Sequence, residues 1–168
     1  VDQVRDPELM DLMAASGCLG NVIGFESLNR QNIRSMRKAP NLMRPRASGA
    51  TVHRDWDRYE AACKILRDHH LQTWAAFTLG HDHDTPESIR ETYDFAMHHK
   101  FCFAAFNILM PYPGTPLYAH LAREGRLLWD GQWWLHPEYR YNHAAFVPAN
   151  MTPDQLTEAC WQCRDRWN

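Results

Sequence analysis

Three short apolar runs, spaced between stretches of helical patterning, constrain the fold of this chain most. The runs cover residues 22–25, 73–79 and 103–109, and each is largely apolar instead of alternating apolar with polar residues. Such runs are typical of strands buried in a parallel sheet. The spacing of apolar residues predicts helices around them, over residues 7–16, 29–38, 55–69 and 152–167, with another ending near residue 99.

The order of these elements predicts an α/β fold. Three successive strand–helix units form a parallel sheet covered by helices, either as part of a (β/α) barrel or as an open doubly wound sheet. We expect residues 1–125 to form three β/α units and residues 126–168 to form a C-terminal extension. The extension contains an aromatic-rich segment at 129–141, a short extended piece at 144–147 and the final helix.

Charge and hydropathy exclude some classes of partner. The net charge of −2 provides no broad basic surface for a nucleic acid or an anionic membrane. No apolar run approaches the roughly 20 residues that cross a bilayer, so we expect a cytoplasmic location. We expect the partner to be a small-molecule substrate and not a nucleic acid. The chain opens at Val1, in a segment already approaching a helix, which predicts that the natural polypeptide begins further upstream.

Unusual residues follow all three predicted strands. Glu26 and Ser27 follow the first, Gly80 ends the second, and Pro111 and Gly114 lie in a proline-rich segment after the third. In parallel α/β folds, functional groups gather at the carboxyl ends of the strands. These five residues are therefore the candidate site.

These strand ends resemble motifs of radical S-adenosylmethionine (SAM) enzymes. Residues 22–27 (VIGFES) resemble the fourth-strand motif, residues 77–88 (FTLGHDHDTPES) resemble the fifth-strand glycine motif, and residues 110–117 (MPYPGTPL) with 124–128 (EGRLL) are similar to the sixth-strand segment. The resemblance runs from residue 6 to 168 and is closest to the branch that carries a cobalamin-binding domain before its barrel. It implies the C-terminal part of a (β/α)6 TIM-like barrel that cleaves SAM reductively at a 4Fe–4S cluster.

The resemblance also implies roles for the five residues. Glu26 and Ser27 would bind the ribose hydroxyls and ammonium of SAM, although Ser27 equally suits a cap for the following helix. Gly80 would let the backbone approach the adenine or methionine moiety, or would simply end its strand. Pro111 and Gly114 would shape the pocket without reacting.

The cysteines depart from the family pattern. None of Cys18, Cys63, Cys102, Cys160 and Cys163 lies in the C-x3-C-x2-C spacing that holds the cluster. We therefore expect the cluster ligands, the earlier strands and any cobalamin domain to lie outside this chain, which alone should not cleave SAM. Cys160 and Cys163 form a C-x2-C pair, but two thiolates on a predicted helix are a weak metal site.

Two other functions fit parts of the sequence. His81 and His83 at a strand end resemble the start of a metal-dependent hydrolase site, although the following strand end offers no further ligand. A non-catalytic α/β domain could instead bind a partner through clustered aromatic residues, for which core packing is the simpler interpretation. That cluster comprises Trp129, Trp133, Trp134 and Tyr139.

Two further expectations concern the histidine pairs at helix ends and the unpaired edge of the first strand. The pairs His69-His70 and His98-His99 each end a predicted helix, where a cationic side chain meets the negative end of the helix dipole. The first strand of a barrel fragment has an unpaired edge that should be buried against the missing half of the polypeptide. For the chain alone this predicts dimerisation through that edge, rearrangement or poor solubility.

Overall fold

A computed structural model of the chain describes residues 2–42 and 57–167 and contains a sheet of three strands with helices between them. The strands are β1 (Gly20–Glu26), β2 (Gln72–Leu79) and β3 (Phe103–Ile108). The helices are α1 (Pro7–Ala15), α2 (Arg30–Ser35), α3 (Asp57–Asp68), α4 (Pro86–His99), α5 (Pro116–Arg123) and α6 (Pro153–Trp167). Short 3₁₀ turns lie at Asp2–Arg5, Ala39–Leu42, Trp129–Gly131 and Trp133–Leu135.

The sheet is parallel and has the order β1-β2-β3. β1 pairs with β2 in parallel, from Gly20 opposite Gln72 to Gly24 opposite Ala76. β3 runs alongside β2 in the same direction, because Cys102 N donates to Thr73 O (3.2 Å) and Leu109 N donates to Leu79 O (2.8 Å). This confirms the predicted α/β fold and agrees with part of a parallel barrel. β1 begins two residues before the predicted apolar run, since backbone pairing sets its start.

The chain divides into two compact units. The first unit comprises Val1–Phe77 with Glu91–Ala105, and the second comprises Thr78–Arg90 with Phe106–Asn168. Both β2 and β3 pass from one unit into the other. The sequence predicted a different division, after residue 125, between part of a barrel and a C-terminal extension. That division stays a prediction.

An aromatic cluster forms the core of the first unit. Phe25 is fully buried, and its ring centroid lies 4.9 Å from that of Tyr59, 5.5 Å from Phe77 and 5.4 Å from Phe101. Phe95 from α4 completes the cluster, at 5.9 Å from Phe25. Edge-on and offset ring contacts of this kind add to the stabilisation from apolar burial. The cluster therefore holds β1 and β2 against α3 and α4.

The opposite face of the first unit's strands is more open than the sequence predicted. Phe25 and Ala75 point to the buried face, whereas Val22 on the other face of β1 is 72% exposed. Gly24 and Ala76 on that open face are half-buried and small. The continuous apolar runs predicted helices over the whole sheet, but among the described residues of this unit the helices bury one face. A partial barrel leaves its inner face open in this way.

Asn142 and α6 hold β3 in the second unit. The Asn142 side chain accepts a hydrogen bond from Ile108 N (2.8 Å) and donates to Phe106 O (3.3 Å), which satisfies backbone groups on the outer side of β3. Phe146 and Leu156 are buried in the same unit. The predicted extended piece at 144–147 is reduced to one antiparallel bridge, between Leu127 and Phe146.

Some expectations fall on the undescribed part of the chain. The helix predicted over residues 55–69 starts at a residue that lies outside the described residues. Within residues 2–42 and 57–167, none of the helices has the length and apolar character needed to span a bilayer.

Candidate functional site

Glu26 places a carboxylate at the carboxyl end of β1. The strand register shifts between Gly24 and Glu26, and Glu26 adopts a left-handed backbone with φ of 65°. A Cβ at Gly24 would lie 2.6 Å from the Glu26 Oε1 atom, so the missing side chain of Gly24 makes room for this carboxylate. Lys38 Nζ pairs with Glu26 Oε1. Non-glycine residues with positive φ are costly and are enriched at ligand sites.

Ser27 is buried and serves the loop that follows β1. Its Oγ accepts hydrogen bonds from Asn29 N (3.1 Å) and from Asn32 Nδ2 (3.2 Å). Asn29 itself caps α2 by accepting from Gln31 N (2.8 Å). Ser27 therefore fixes the approach to α2 without being its N-cap, and among the described residues its O–H hydrogen has no acceptor.

Arg58 and Tyr59 stabilise the carboxyl end of β1, and the sequence did not predict this role for Arg58. Tyr59 Oη donates to Phe25 O (2.7 Å), and burial, opposed by the nearby Arg58 charge, raises the pKa of Tyr59. The Arg58 guanidinium lies 4.1 Å from the Tyr59 ring centroid and donates through Nε to Asn41 O. Arg58 is 2% exposed, and its Nη1 has no partner among the described residues. The sequence around an arginine in the first turn of a helix usually indicates a solvent-exposed side chain, because the local pattern of residues contains no signal for its burial.

Gly80 ends β2 against the helix α6. Its φ is 99°, and a Cβ there would lie 2.6 Å from Leu156 Cδ2 and 3.3 Å from Phe146 Cζ. The space of a side chain is thus filled by protein atoms, and this packing alone accounts for glycine at the position. A role of Gly80 towards SAM stays a prediction.

Asp84 closes the loop after β2. Its Oδ2 accepts from Gly80 N (2.9 Å) and from His81 N (3.0 Å), and Asp84 and His81 are both buried. Asp82, two residues upstream, is instead paired with Arg126, with 2.8 Å between Asp82 Oδ1 and Arg126 Nη2. The two aspartates of this loop therefore both stabilise its conformation.

The segment after β3 forms a turn that leads into α5, while its role in shaping a ligand pocket stays a prediction. Pro111 O accepts from the indole Nε1 of Trp133 at 3.3 Å. Gly114 has φ of 81°, and a Cβ at this position would meet no atom of the described residues within 4 Å. Thr115 Oγ1 caps α5 by accepting from Tyr118 N (3.2 Å). The positive φ of this turn therefore favours glycine at position 114, whereas steric contact with neighbouring atoms does not require it.

The five predicted site residues divide between the two units. Glu26 and Ser27 are adjacent in the first unit, whereas Gly80, Pro111 and Gly114 belong to the second. Within the second unit the bond from Leu109 N to Leu79 O brings the ends of β2 and β3 side by side. Each of the five residues thus lies at or just after the carboxyl end of a strand, as the sequence predicted, and their roles towards SAM stay predictions.

The aromatic segment contains one buried ring, that of Trp133. Trp133 is buried, and its ring centroid lies 4.8 Å from that of Tyr139, 5.5 Å from Trp134 and 6.0 Å from Tyr112. Trp129 stacks on His136 at 5.0 Å. Trp134 is 45% exposed. Core packing therefore accounts for Trp133, whereas Trp134 lies at the surface.

The cysteines do not fit an iron–sulfur cluster. Cys160 and Cys163 are buried in α6, and burial raises the pKa of Cys160 to about 11, so its thiol is protonated at neutral pH. All five cysteines are free thiols, and the described residues place no three of them together as metal ligands. Among those same residues the group with metal-ligand geometry is Glu60, His98 and His99, which includes neither His81 nor His83. Nothing in the described part of the chain therefore favours the hydrolase alternative.

Removing the Asp84 carboxylate tests whether the loop after β2 depends on it. Asp84→Ala leaves the N–H groups of Gly80 and His81 without this acceptor, so we expect the free energy of unfolding to fall by about 2–4 kcal/mol. Urea denaturation measures the change. Asp94→Ala removes an exposed aspartate from α4 and should change stability by less than about 0.5 kcal/mol. Equal stability of the two variants would contradict this role of Asp84.

Known proteins resemble the chain over most of its length. No model of a protein family matches it. It is 31% identical over 156 residues to bacteriochlorophyllide d C-12(1)-methyltransferase of Chlorobaculum tepidum, covering 92% of this chain and 30% of that protein. It is 27% identical to hopanoid C-2 methylase of Rhodopseudomonas palustris, covering 75% of this chain and 21% of that protein. The anaerobic magnesium-protoporphyrin IX monomethyl ester cyclase of Cereibacter sphaeroides is 24% identical, over 93% of this chain and 21% of its own length.

A solved structure shares the fold. The radical S-adenosylmethionine methyltransferase TsrM of Kitasatospora setae, solved with cobalamin and a 4Fe–4S cluster bound, aligns with a TM-score of 0.50 and 24% identity. The alignment covers 71% of this chain and 21% of TsrM. The chain spans less than a third of the length of each of these proteins.

Proposed function

The chain belongs to the radical SAM enzyme family, and we propose that it supplies SAM-binding strand ends to the barrel of a larger radical SAM enzyme. In this proposal its three strands are the later strands of the barrel, and the open face of β1 and β2 is part of the inner wall. Residues outside this chain complete the barrel. β1 lies at the edge of the sheet and pairs with the preceding strand of the barrel, or with a second copy when the chain is isolated.

The observation that carries the proposal is the carboxylate of Glu26 at the end of β1. It is held by a left-handed backbone and accommodated by Gly24, so its position is determined before any ligand arrives. SAM offers an ammonium group and ribose hydroxyls, all of which donate hydrogen bonds to a carboxylate. Preorganised acceptors of this kind bind a polar ligand without a large entropic cost.

The other site residues have supporting roles in this proposal. Ser27 fixes the loop after Glu26 and directs its O–H hydrogen to a ligand oxygen. Gly80 offers its backbone to the adenine or methionine moiety after β2, and Pro111 with Gly114 forms a rigid wall after β3. Each residue acts through its own strand end in this proposal, and none of them reacts with SAM.

The cofactors of the whole enzyme are SAM, a 4Fe–4S cluster and cobalamin in this proposal. TsrM was solved with the last two, and the cysteines of this chain do not fit a cluster, so we assign the cluster ligands and a cobalamin domain to residues outside it. The cluster supplies the electron that cleaves SAM. A cytoplasmic location stays a prediction.

We assign methylation of a small molecule to the whole enzyme. The names of two of the three curated relatives describe methyl transfer, and that of the third describes a cyclase. Product analysis with the full-length enzyme separates the two: a mass gain of one methylene unit supports methylation, whereas formation of a ring without added carbon contradicts it.

Glu26→Gln in the full-length enzyme tests SAM binding. The substitution removes a charge-assisted acceptor, so we expect the Kd for SAM to rise about 10- to 100-fold. Equilibrium binding of SAM to cluster-loaded enzyme measures the change. Glu91→Gln alters an exposed glutamate of α4 and should leave the Kd unchanged.

Lys38→Gln sharpens the same experiment. Lys38 pairs with the Glu26 carboxylate, so its removal frees that carboxylate, and SAM should bind at least as tightly as in the natural enzyme. A purely structural role of the ion pair would instead make both variants bind more weakly. If Glu26→Gln leaves SAM binding unaltered, the proposed site is wrong.

A further inference from the structure

A cavity of about 230 Å³ lies in the first unit, at the amino ends of β2 and β3. Gln72, which begins β2, and Cys102, which precedes β3, both line it. Glu26 lies at the opposite end of the strands, since it ends β1. The cavity is therefore separate from the SAM site proposed above.

Two cationic side chains, Arg67 and Lys100, line this cavity together with the imidazole of His70. Arg67 lies in the last turn of α3, Lys100 follows α4, and His70 lies in the turn before β2; all three are exposed. No acidic residue occurs among the described residues that line it. Concave surfaces with charges of one sign concentrate the field, so the cavity attracts anions.

His99 holds the Arg67 guanidinium at this cavity. The Arg67 Nη1 atom lies 3.2 Å from His99 Nδ1, and a guanidinium can only donate. His99 Nδ1 therefore accepts, and the ring carries its proton on Nε2, which is buried and has no partner among the described residues. His99 is 8% exposed, and its ring centroid lies 4.4 Å from that of Phe95.

Burial, together with the charges of Arg67 and His98, lowers the pKa of His99 to about 4. The imidazole is consequently neutral at pH 7. The sequence predicted a cationic His99 interacting with the dipole of α4, and this was wrong because the side chain is buried under Phe95 and Phe101 instead of facing water. A neutral imidazole can accept from arginine, whereas a protonated one would repel it.

We propose that the cavity binds the oxyanion group, phosphate or carboxylate, of a small molecule. Arg67 makes the main contact, because its fork of N–H donors matches an oxyanion and one of those donors is already oriented by His99. Lys100 adds a second positive charge, and His99 is a positioning residue. The site is a ligand site at the end of the strands remote from Glu26.

A metal ion is the competing occupant. Glu60, His98 and His99 present ligand atoms within 4.8 Å of one another. However, an ion bound to His99 needs its lone pair, which already accepts from Arg67, and the guanidinium charge beside it repels a cation. An anion keeps both the His99–Arg67 contact and the favourable charge.

Phosphate titration of the full-length protein tests the proposal. Inorganic phosphate and acetate are titrated separately by calorimetry at constant ionic strength, which distinguishes a phosphate from a carboxylate ligand. We expect at least one of them to bind saturably, and Arg67→Gln to weaken that binding about tenfold or more. Arg67→Lys, which keeps the charge but lacks the fork, should give an intermediate loss.

Arg90→Gln is the matched control, because Arg90 is an exposed arginine of the second unit. It should bind both anions as the natural protein does. Equal binding to Arg67→Gln and Arg90→Gln, or no saturable binding of either anion, would overturn the proposal. So would saturable Zn²⁺ binding that depends on His98 and is strengthened by Arg67→Gln, since that result identifies the site as a metal site.

Discussion

Replacing Phe25 by alanine is expected to lower the free energy of unfolding by about 3–5 kcal/mol. Phe25 is fully buried, and its ring contacts four other aromatic rings of the first unit, those of Tyr59, Phe77, Phe95 and Phe101. Its removal costs both the transfer free energy of the ring and the cavity left behind. Urea denaturation of the purified protein measures the loss.

Leu12→Ala is the matched control for this experiment. Leu12 is 67% exposed on α1, and alanine is a better helix former, so the control should change stability by less than about 0.5 kcal/mol. Phe25 also precedes Glu26, and its carbonyl accepts from Tyr59. If Phe25→Ala proved no more destabilising than Leu12→Ala, the aromatic cluster would not be the core of this unit.

Gly80→Ala is expected to lower the free energy of unfolding by about 2–5 kcal/mol. Part of this, about 1–2 kcal/mol, comes from placing an L residue at φ of 99°. The rest, about 1–3 kcal/mol, comes from the new Cβ meeting Leu156 Cδ2 at 2.6 Å, which forces α6 or the strand end to shift. Urea denaturation measures the change. A lower midpoint with an unchanged m-value would show that stability has changed and that the surface exposed on unfolding has not.

Gly114→Ala separates the two causes. Gly114 also has a positive φ, 81°, but no described atom lies within 4 Å of the position that its Cβ would take, so we expect only the backbone cost of about 1–2 kcal/mol. Combining Gly80→Ala with Leu156→Ala should be less destabilising than the sum of the single changes, because the smaller side chain removes the clash. Additive losses would show that Gly80 does not pack on Leu156.

The sequence alone predicted the element order and the locations of the strand ends. Helix periodicity and apolar runs are local, and they located β2 and the end of α4 within one or two residues. Motif resemblance indicated the radical SAM family, which the comparisons support. The roles of Glu26, Ser27, Gly80, Pro111 and Gly114 stay predictions until SAM binding is measured.

The sequence could not show which neighbours surround the residues that it singled out. The apolar runs, separated by helical patterning, were enough to predict parallel strands, because such runs are typical of parallel sheets covered by helices. They did not show that one face of β1 and β2 is open. Only the tertiary structure decided that Gly80 makes room for Leu156, that Arg58 is buried on Tyr59, and that His99 is neutral beside Arg67. Those features depend on contacts between residues that the local pattern does not relate, so charge, packing and pKa at these positions follow from the folded environment.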